Sequence, residues 1–283
     1  MIRNILASGE VSKELVSIAD RVAYSRPPAL REFDQIYMMS GDMLTQVELV
    51  KEYIEGRRIV FLGDGDGMSM LFGLLASRGY IEPPKVMRVL DFDKRITENI
   101  DSFSNKNRFR EEEIIVRTNP YNIIDPVPND LLGQYDFFYI NPPYGSKNKG
   151  KSIILWLQRC MDLCTYTCSG CIVIPYDAKE EWSQEAMINV QKFLASKGFV
   201  VRDMVSYLHS YHLRDNPVLQ SATMIVDRIE RHESDYRGQQ LPEQEVHRLY
   251  GAPRPIPQYI DIGEKGISGQ GDPDYDWKFG QDY

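Results

Sequence analysis

Short unbroken apolar runs along this chain alternate with longer stretches in which apolar residues recur every three or four positions. The first pattern predicts buried strands and the second amphipathic helices. Residues 10–24 set Val11, Leu15, Ile18, Ala19 and Val22 at helical spacing, and Ser25-Arg26-Pro27-Pro28 ends that helix. A second helix runs from about Gly41 to Ile54 and is closed by Gly56. Strand and helix then alternate. Ile59-Val60-Phe61-Leu62 is a fully apolar strand, Met68 to Ser77 a helix, Lys85 to Leu90 a strand and Lys94 to Phe103 a helix. Glu113 to Arg117 is the third strand, a short helix lies around Leu131, and Tyr135-Asp136-Phe137-Phe138-Tyr139-Ile140 is the fourth. A helix from Ser152 to Thr165, turning Ile153, Leu157, Cys160, Met161 and Cys164 inward, precedes a fifth strand, Cys171 to Pro175. A helix over residues 180–197 and a closing pair of strands, Phe199 to Val205 and Ser221 to Val226, complete the pattern.

This alternation predicts an α/β fold: a doubly wound, Rossmann-like, mostly parallel sheet with N-terminal helices and a C-terminal extension. The implied divisions are a helical segment at 1–56, the Rossmann-like domain at 57–229 and the extension at 230–283. The extension is proline- and charge-rich and passes through Gly266 to Asp272 into an acidic aromatic tail. It either wraps the domain or is partly disordered. With 283 residues, 42% hydrophobic and 26% charged, the chain has the composition of an ordinary soluble globule. No apolar run reaches the length of a membrane span, and Met1-Ile2-Arg3-Asn4 does not open a signal peptide. All four cysteines fall between Cys160 and Cys171, unlike a secreted disulfide framework, so a cytoplasmic location is expected. The net charge of −8 excludes a protein that coats nucleic acid nonspecifically and leaves room only for a local basic patch.

The candidate chemistry sits where strands end. Gly63-Asp64-Gly65-Asp66-Gly67 joins the first strand to a helix, and its glycines let backbone approach a ligand closely. Asp64 and Asp66 would repel a pyrophosphate but suit a ligand carrying an ammonium or a sulfonium, and this is not a phosphate loop. Asp91, at the end of the second strand, stands where such folds bind a ribose diol, and Phe92 is placed to line an adenine face. Asp93 is either a helix N-cap or a further ligand. Thr118-Asn119-Pro120-Tyr121-Asn122 is a polar loop able to hydrogen-bond an adenine edge, with Asn122 the candidate.

The fourth strand runs into Asn141-Pro142-Pro143-Tyr144. Two consecutive prolines force the backbone out of the sheet and leave one amide, one exposed carbonyl and one ring on a rigid turn. Asn141 Oδ1 and the Pro142 carbonyl can accept from the N–H groups of an amine, and the Tyr144 ring can stack beside it. Lys147, Lys149 and Lys151 form a basic loop next to it, for phosphate contact or as a solvated connection. Residues 207–214, with His209, Tyr211, His212 and Arg214, either wall the pocket or form an edge loop. No metal is expected. The cysteines sit in a core helix and a strand rather than knuckle loops, and His209, His212 and Asp215 are too few ligands.

Together, Leu62 to Gly67, Asp91 and Asn141-Pro142-Pro143-Tyr144 resemble the class I S-adenosylmethionine-dependent methyltransferases. The closer resemblance there is to amino-methyltransferases whose N-P-P-Y loop holds an exocyclic amine such as adenine N6. That implies in-line methyl transfer, driven by positioning and desolvation of a cationic donor. From about Phe33 to Arg228 the chain also resembles the catalytic domain of the branched-chain polyamine synthases. The shared motifs are Phe33-Asp34-Gln35, Gly63 to Asp66, Val89 to Asp93 and Asp125-Pro126-Val127-Pro128. This second resemblance implies aminopropyl transfer from decarboxylated S-adenosylmethionine to a polyamine. Two departures stand out: Gly65 and Gly67 break that family's acidic run, and its D-P-P-Y is N-P-P-Y here. A protonated polyamine wants a carboxylate and a neutral nucleobase amine a neutral acceptor.

Asn141 therefore tips the expectation to S-adenosylmethionine-dependent N-methylation of a nucleobase, in nucleic acid or a nucleobase-containing substrate. Aminopropyl transfer to a spermidine-like polyamine is the alternative, and a catalytically silent partner subunit a second. With no separate target-recognition domain in the sequence, specificity for nucleic acid would come from an extruded base, a homodimer or a partner protein.

Overall fold

The computed structural model describes residues 12–211, 219–251, 257–260 and 278–279. Seven strands form the main sheet: β1 (Arg58–Leu62), β2 (Val86–Asp91), β3 (Val116–Pro120), β4 (Tyr135–Ile140), β5 (Cys164–Pro175), β6 (Phe199–Ser210) and β7 (Gln220–Arg228). Their spatial order is β3-β2-β1-β4-β5-β7-β6. The first five pair in parallel, and β7 runs antiparallel to both β5 and β6. The order reverses between β1 and β4, which opens a crevice beyond their carboxyl ends.

Both faces of the sheet are covered, so the central strands are apolar throughout rather than alternating. Ile59 and Phe61 of β1 join the core beneath the helices α1 (Lys13–Ser25), α2 (Ser40–Ile54), α3 (Met68–Ser77) and α4 (Lys94–Lys106). Val60 and Leu62 point the other way, toward α5 (Lys151–Leu163), α6 (Glu181–Ser196) and the extension after residue 230. The two N-terminal helices are thus part of the domain's core, with Ile18, Ala19, Val22 and Val47 buried against the sheet side. The extension, as far as it is described, wraps the domain: Leu241, Val246 and Leu249 are buried in the second core. No helix among the described residues is long and apolar enough to cross a membrane.

Helix α3 and strand β4 occupy the predicted residues to the letter, and three expectations need correction. Strand β3 begins at Val116, so Thr118, Asn119 and Pro120 lie in the sheet rather than in a loop. It is an edge strand with a largely exposed face, and its polar residues gave no apolar run to read. Strand β5 begins at Cys164, so Cys164 belongs to the strand instead of the preceding helix, and Cys168 lies in the strand as well. A register shift against β4 between Tyr135 and Phe137 accommodates the extra length. Strand β6 continues through Ser210, so His209 is in the sheet, while His212, Arg214 and Asp215 lie outside the described residues, as do Gly266 to Asp272.

Candidate active site

The crevice holds a cavity of about 850 Å³, open to solvent. Gly63, Asp64, Gly65, Asp66, Asp91 and Phe92 all line it, as do Asn141, Pro142, Pro143 and Tyr144. The sheet brings these three loops together because β1, β2 and β4 are neighbours and end at one level. Gly67 and Asn122 do not line it. Gly67 takes φ +72° as the N-cap of α3, and its missing Cβ makes room for Met70 and Val22. Asn122 is buried and turns its Oδ1 to the Ile124 N–H at 3.1 Å. Tyr121 and Ile123 face the cavity in its place.

The four aspartates of these loops divide by what holds them. Asp64 accepts from the N–H groups of Met68 (2.8 Å) and Ser69 (3.0 Å) and so caps the first turn of α3. Asp91 accepts from the N–H groups of Asp64 (3.1 Å) and Asp93 (2.9 Å), tying the first two loops together. Burial pushes both carboxyls up to about 7, against the lowering effect of those backbone donors. Asp93 does not reach the cavity. It caps α4 and pairs with Arg95 at 2.6 Å and with Gln35 Nε2 at 3.0 Å.

Asp66 is different. Its Oδ1 accepts from the Met38 N–H at 2.7 Å and its Oδ2 from Asn141 Nδ2 at 2.7 Å. That contact orients the amide of Asn141: a carboxylate accepts, so the NH₂ faces Asp66 and Oδ1 is the amide atom left to a ligand. No described residue donates to that oxygen. The N-P-P-Y loop therefore has a carboxylate attached to it, contributed by the glycine loop. Burial raises the Asp66 pKa, and the bonds from Asn141 and Met38 oppose the rise.

Several lining residues come from outside the three strand-end loops, among them the Phe33-Asp34-Gln35 motif noted in the sequence. The segment between α1 and α2 crosses the cavity with Phe33 to Tyr37. Asp34 there adopts the left-handed conformation (φ 57°), and burial raises its pKa, opposed by the nearby Tyr144 N–H. Tyr37 lies across Gly65, where any Cβ would come within 2.6 Å of its ring, and Arg26 stacks on it at 5.0 Å. From the extension, Tyr250 stacks on Phe92 (5.5 Å, 22°) and meets Phe33 edge-on at 5.4 Å, closing the end of the cavity where an adenine is expected. The missing side chain of Gly65 was the readable hint of the close approach by Tyr37.

Tyr144 is itself anchored. Its hydroxyl meets that of Tyr211 at 2.5 Å, which meets Ser221 Oγ at 2.9 Å; His209 Nδ1 joins the same oxygen at 2.8 Å. His209 is buried, and desolvation lowers its pKa to about 3, so it is a neutral support for the loop rather than a cavity wall. In the neighbouring basic loop Lys149 and Lys151 pair with Glu185 (3.1 Å) and Glu245 (2.9 Å), which makes it a solvated connection. The four cysteines are buried free thiols, and no metal-binding cluster occurs among the described residues.

The charge of the cavity wall is one-sided. Asp34, Asp64, Asp66 and Asp91 line it, and no lysine, arginine or histidine is among the described residues that do. The arrangement can bind a cationic ligand with a sugar and a flat ring, and hold an amine against an amide oxygen.

Comparison with known proteins gives the lineage. A family model described as the branched-chain polyamine synthase A C-terminal domain matches residues 14–254. N(4)-bis(aminopropyl)spermidine synthase of Thermococcus kodakarensis is 25% identical over 204 residues, 70% of this chain and 53% of that protein. The enzyme of the same name from Thermus thermophilus is 26% identical over 193 residues, 67% of this chain and 51% of its own length. The chain thus spans about half the length of these curated relatives. Among solved structures, the Thermus thermophilus branched-chain polyamine synthase bound to N4-aminopropylspermidine and 5′-methylthioadenosine superposes with a TM-score of 0.65 at 21% identity. The match covers 81% of this chain and 68% of that one. A putative RNA methyltransferase from Pyrococcus horikoshii gives 0.57 at 15% identity, covering 77% and 98%. At these identities the two structures establish a methyltransferase-like α/β fold, as expected. Of the two activities expected from the sequence, the family match favours aminopropyl transfer over nucleobase methylation.

Proposed function

We propose that this chain, which belongs to the branched-chain polyamine synthase A C-terminal domain family, transfers an aminopropyl group from decarboxylated S-adenosylmethionine to a polyamine nitrogen. The observation that carries this reading is the charge of the cavity: four aspartates and no cationic side chain among the described lining residues. S-adenosylmethionine has a carboxylate that would find no cationic side chain among the described lining residues. Its decarboxylated form has a sulfonium and an ammonium, both complementary to the wall. A polyamine adds further ammonium groups and fits for the same reason.

In this reading Asp91 and Phe92 hold the ribose and adenine, with Tyr250 closing over the ring. Asp64 fixes the glycine loop by capping α3. Asp66 supplies negative charge beside the reacting nitrogen, and Asn141 Oδ1 accepts its N–H. The bound donor supplies an alkyl carbon activated by its sulfonium. The protein's part is to align a neutral nitrogen with that carbon and keep water away. The relative crystallised with 5′-methylthioadenosine supports the donor class, since that nucleoside is what remains once the aminopropyl group has left.

A second reading, methyl transfer to a neutral planar amine, is favoured by one feature, the uncharged acceptor Asn141. Calorimetric titration with each donor decides between them. We expect the decarboxylated form to bind at least tenfold more tightly than S-adenosylmethionine. Tighter binding of the carboxylated donor would overturn the proposal and favour methyl transfer.

A further inference from the structure

We infer that the acceptor site favours a nitrogen that keeps an N–H in its reactive, neutral form, so that a second addition at the same nitrogen is at least tenfold slower than the first. The inference rests on the aminopropyltransferase reading and deepens it. Its basis is the orientation of Asn141. Because Nδ2 is committed to Asp66 Oδ2 at 2.7 Å, the atom offered to the acceptor is a neutral carbonyl-type oxygen, which needs a donor. Both Asp66 oxygens are already engaged, by Met38 N–H and by Asn141.

At the first addition a neutral secondary amine donates its N–H to Asn141 Oδ1. Its lone pair forms a bond to the aminopropyl carbon, the carbon–sulfur bond breaks, and that electron pair stays on the sulfur of 5′-methylthioadenosine. Positive charge grows on the nitrogen as it reacts, so the N–H···O bond strengthens toward the transition state and accelerates the step. The product ammonium then loses that proton to solvent and is a tertiary amine. A second addition would convert the tertiary amine into a quaternary ammonium with no N–H at any stage of bond formation. Asn141 Oδ1 would then face a growing cation without a hydrogen bond. Losing one charge-assisted bond slows the step on the order of 10- to 100-fold. The relatives named for N4-bis(aminopropyl)spermidine, whose N4 is such a quaternary centre, make that second addition.

The test supplies excess decarboxylated S-adenosylmethionine and either spermidine or N4-aminopropylspermidine, with products followed by mass spectrometry. Calorimetry measures the affinity of each polyamine for the protein loaded with 5′-methylthioadenosine. Both polyamines are protonated at N4 near neutral pH and donate at least one N–H, so we expect affinities within about threefold. The turnover number should be at least tenfold lower for the tertiary amine, with the singly substituted product accumulating. Asn141→Asp, which places a charge at the reacting nitrogen, should narrow that gap. Double addition at a rate within threefold of the first would overturn the inference while leaving the aminopropyltransferase reading intact. Transfer to neither polyamine would overturn the reading itself.

Discussion

Two buried charge centres in this protein are used in opposite ways. Arg159 of α5 is fully buried, and its guanidinium is saturated by the chain. Nε donates to the Ile123 carbonyl (2.8 Å), Nη1 to Tyr236 (2.9 Å), and Nη2 to Ile124 (3.2 Å) and Gln239 (2.9 Å). Asp162 adds a counter-charge at 3.7 Å. Asp66, also buried, has both carboxylate oxygens engaged, by the Met38 N–H and by Asn141 Nδ2, but the amide it orients is left with an open oxygen. A charge whose bonds are closed within the chain builds scaffold; one whose partner group is left open is available to a ligand. Between these extremes stand Asp64 and Asp91. They line the cavity, yet each ties down two backbone N–H groups, so they shape the site and face the ligand together.

The first way to break this comparison is Arg159→Leu. Four carbonyls and Asp162 would each lose a partner, and the extension carrying Tyr250 would lose an anchor. We expect a stability loss of about 3–5 kcal/mol by urea denaturation. A loss below about 1 kcal/mol would remove Arg159 from the scaffold class. Asp66→Asn should give the reverse pattern: stability within about 1 kcal/mol of the parent, but kcat/KM for the polyamine at least about 30-fold lower, the cost of removing one partner of a desolvated charge pair. Unfolding of that variant, with activity retained in any folded fraction, would merge the two centres into one class.

The smallest effect sharpens the intermediate case. Asp64 and Asp91 are raised by burial to about 7, above their unfolded values, so the folded protein holds their protons more tightly. The ligand-free protein should therefore lose stability as pH rises from about 4 to about 7 and level off above that. A dicationic donor favours the ionised carboxylates, so its affinity should rise with pH between about 6 and 8, by at most about tenfold per pH unit for each proton released. Calorimetry in two buffers of different ionisation enthalpy measures that release. An affinity flat across this range would mean that neither carboxylate changes its protonation on binding.

Tyr250 illustrates how far the site departs from any local motif. It stands more than a hundred residues after Asn141, yet Arg159 and the Leu241 N–H bond to the Ile124 carbonyl (2.8 Å) bring it onto Phe92. Asp34 comes to the same cavity wall as the N-P-P-Y loop from the other end of the chain. The methyl-transfer expectation rested on one residue. Asn141 on its own looks like a neutral acceptor, and nothing near it in sequence announces that Asp66 stands behind it.

The sequence by itself determined the central strands, the glycine loop, Asp91 and the proline turn. Those depend on interactions between near neighbours: an apolar run buried on both faces, glycines at a tight turn, two prolines that cannot stay in a sheet. Tertiary structure alone decided which loops meet, that Asn122 and Gly67 stand aside, and that the charged side chains among the described residues of the cavity wall are all negative. The physical reason is that charge complementarity is a property of a surface. That surface exists only once strands distant in sequence have been set side by side and the N- and C-terminal segments folded over their ends.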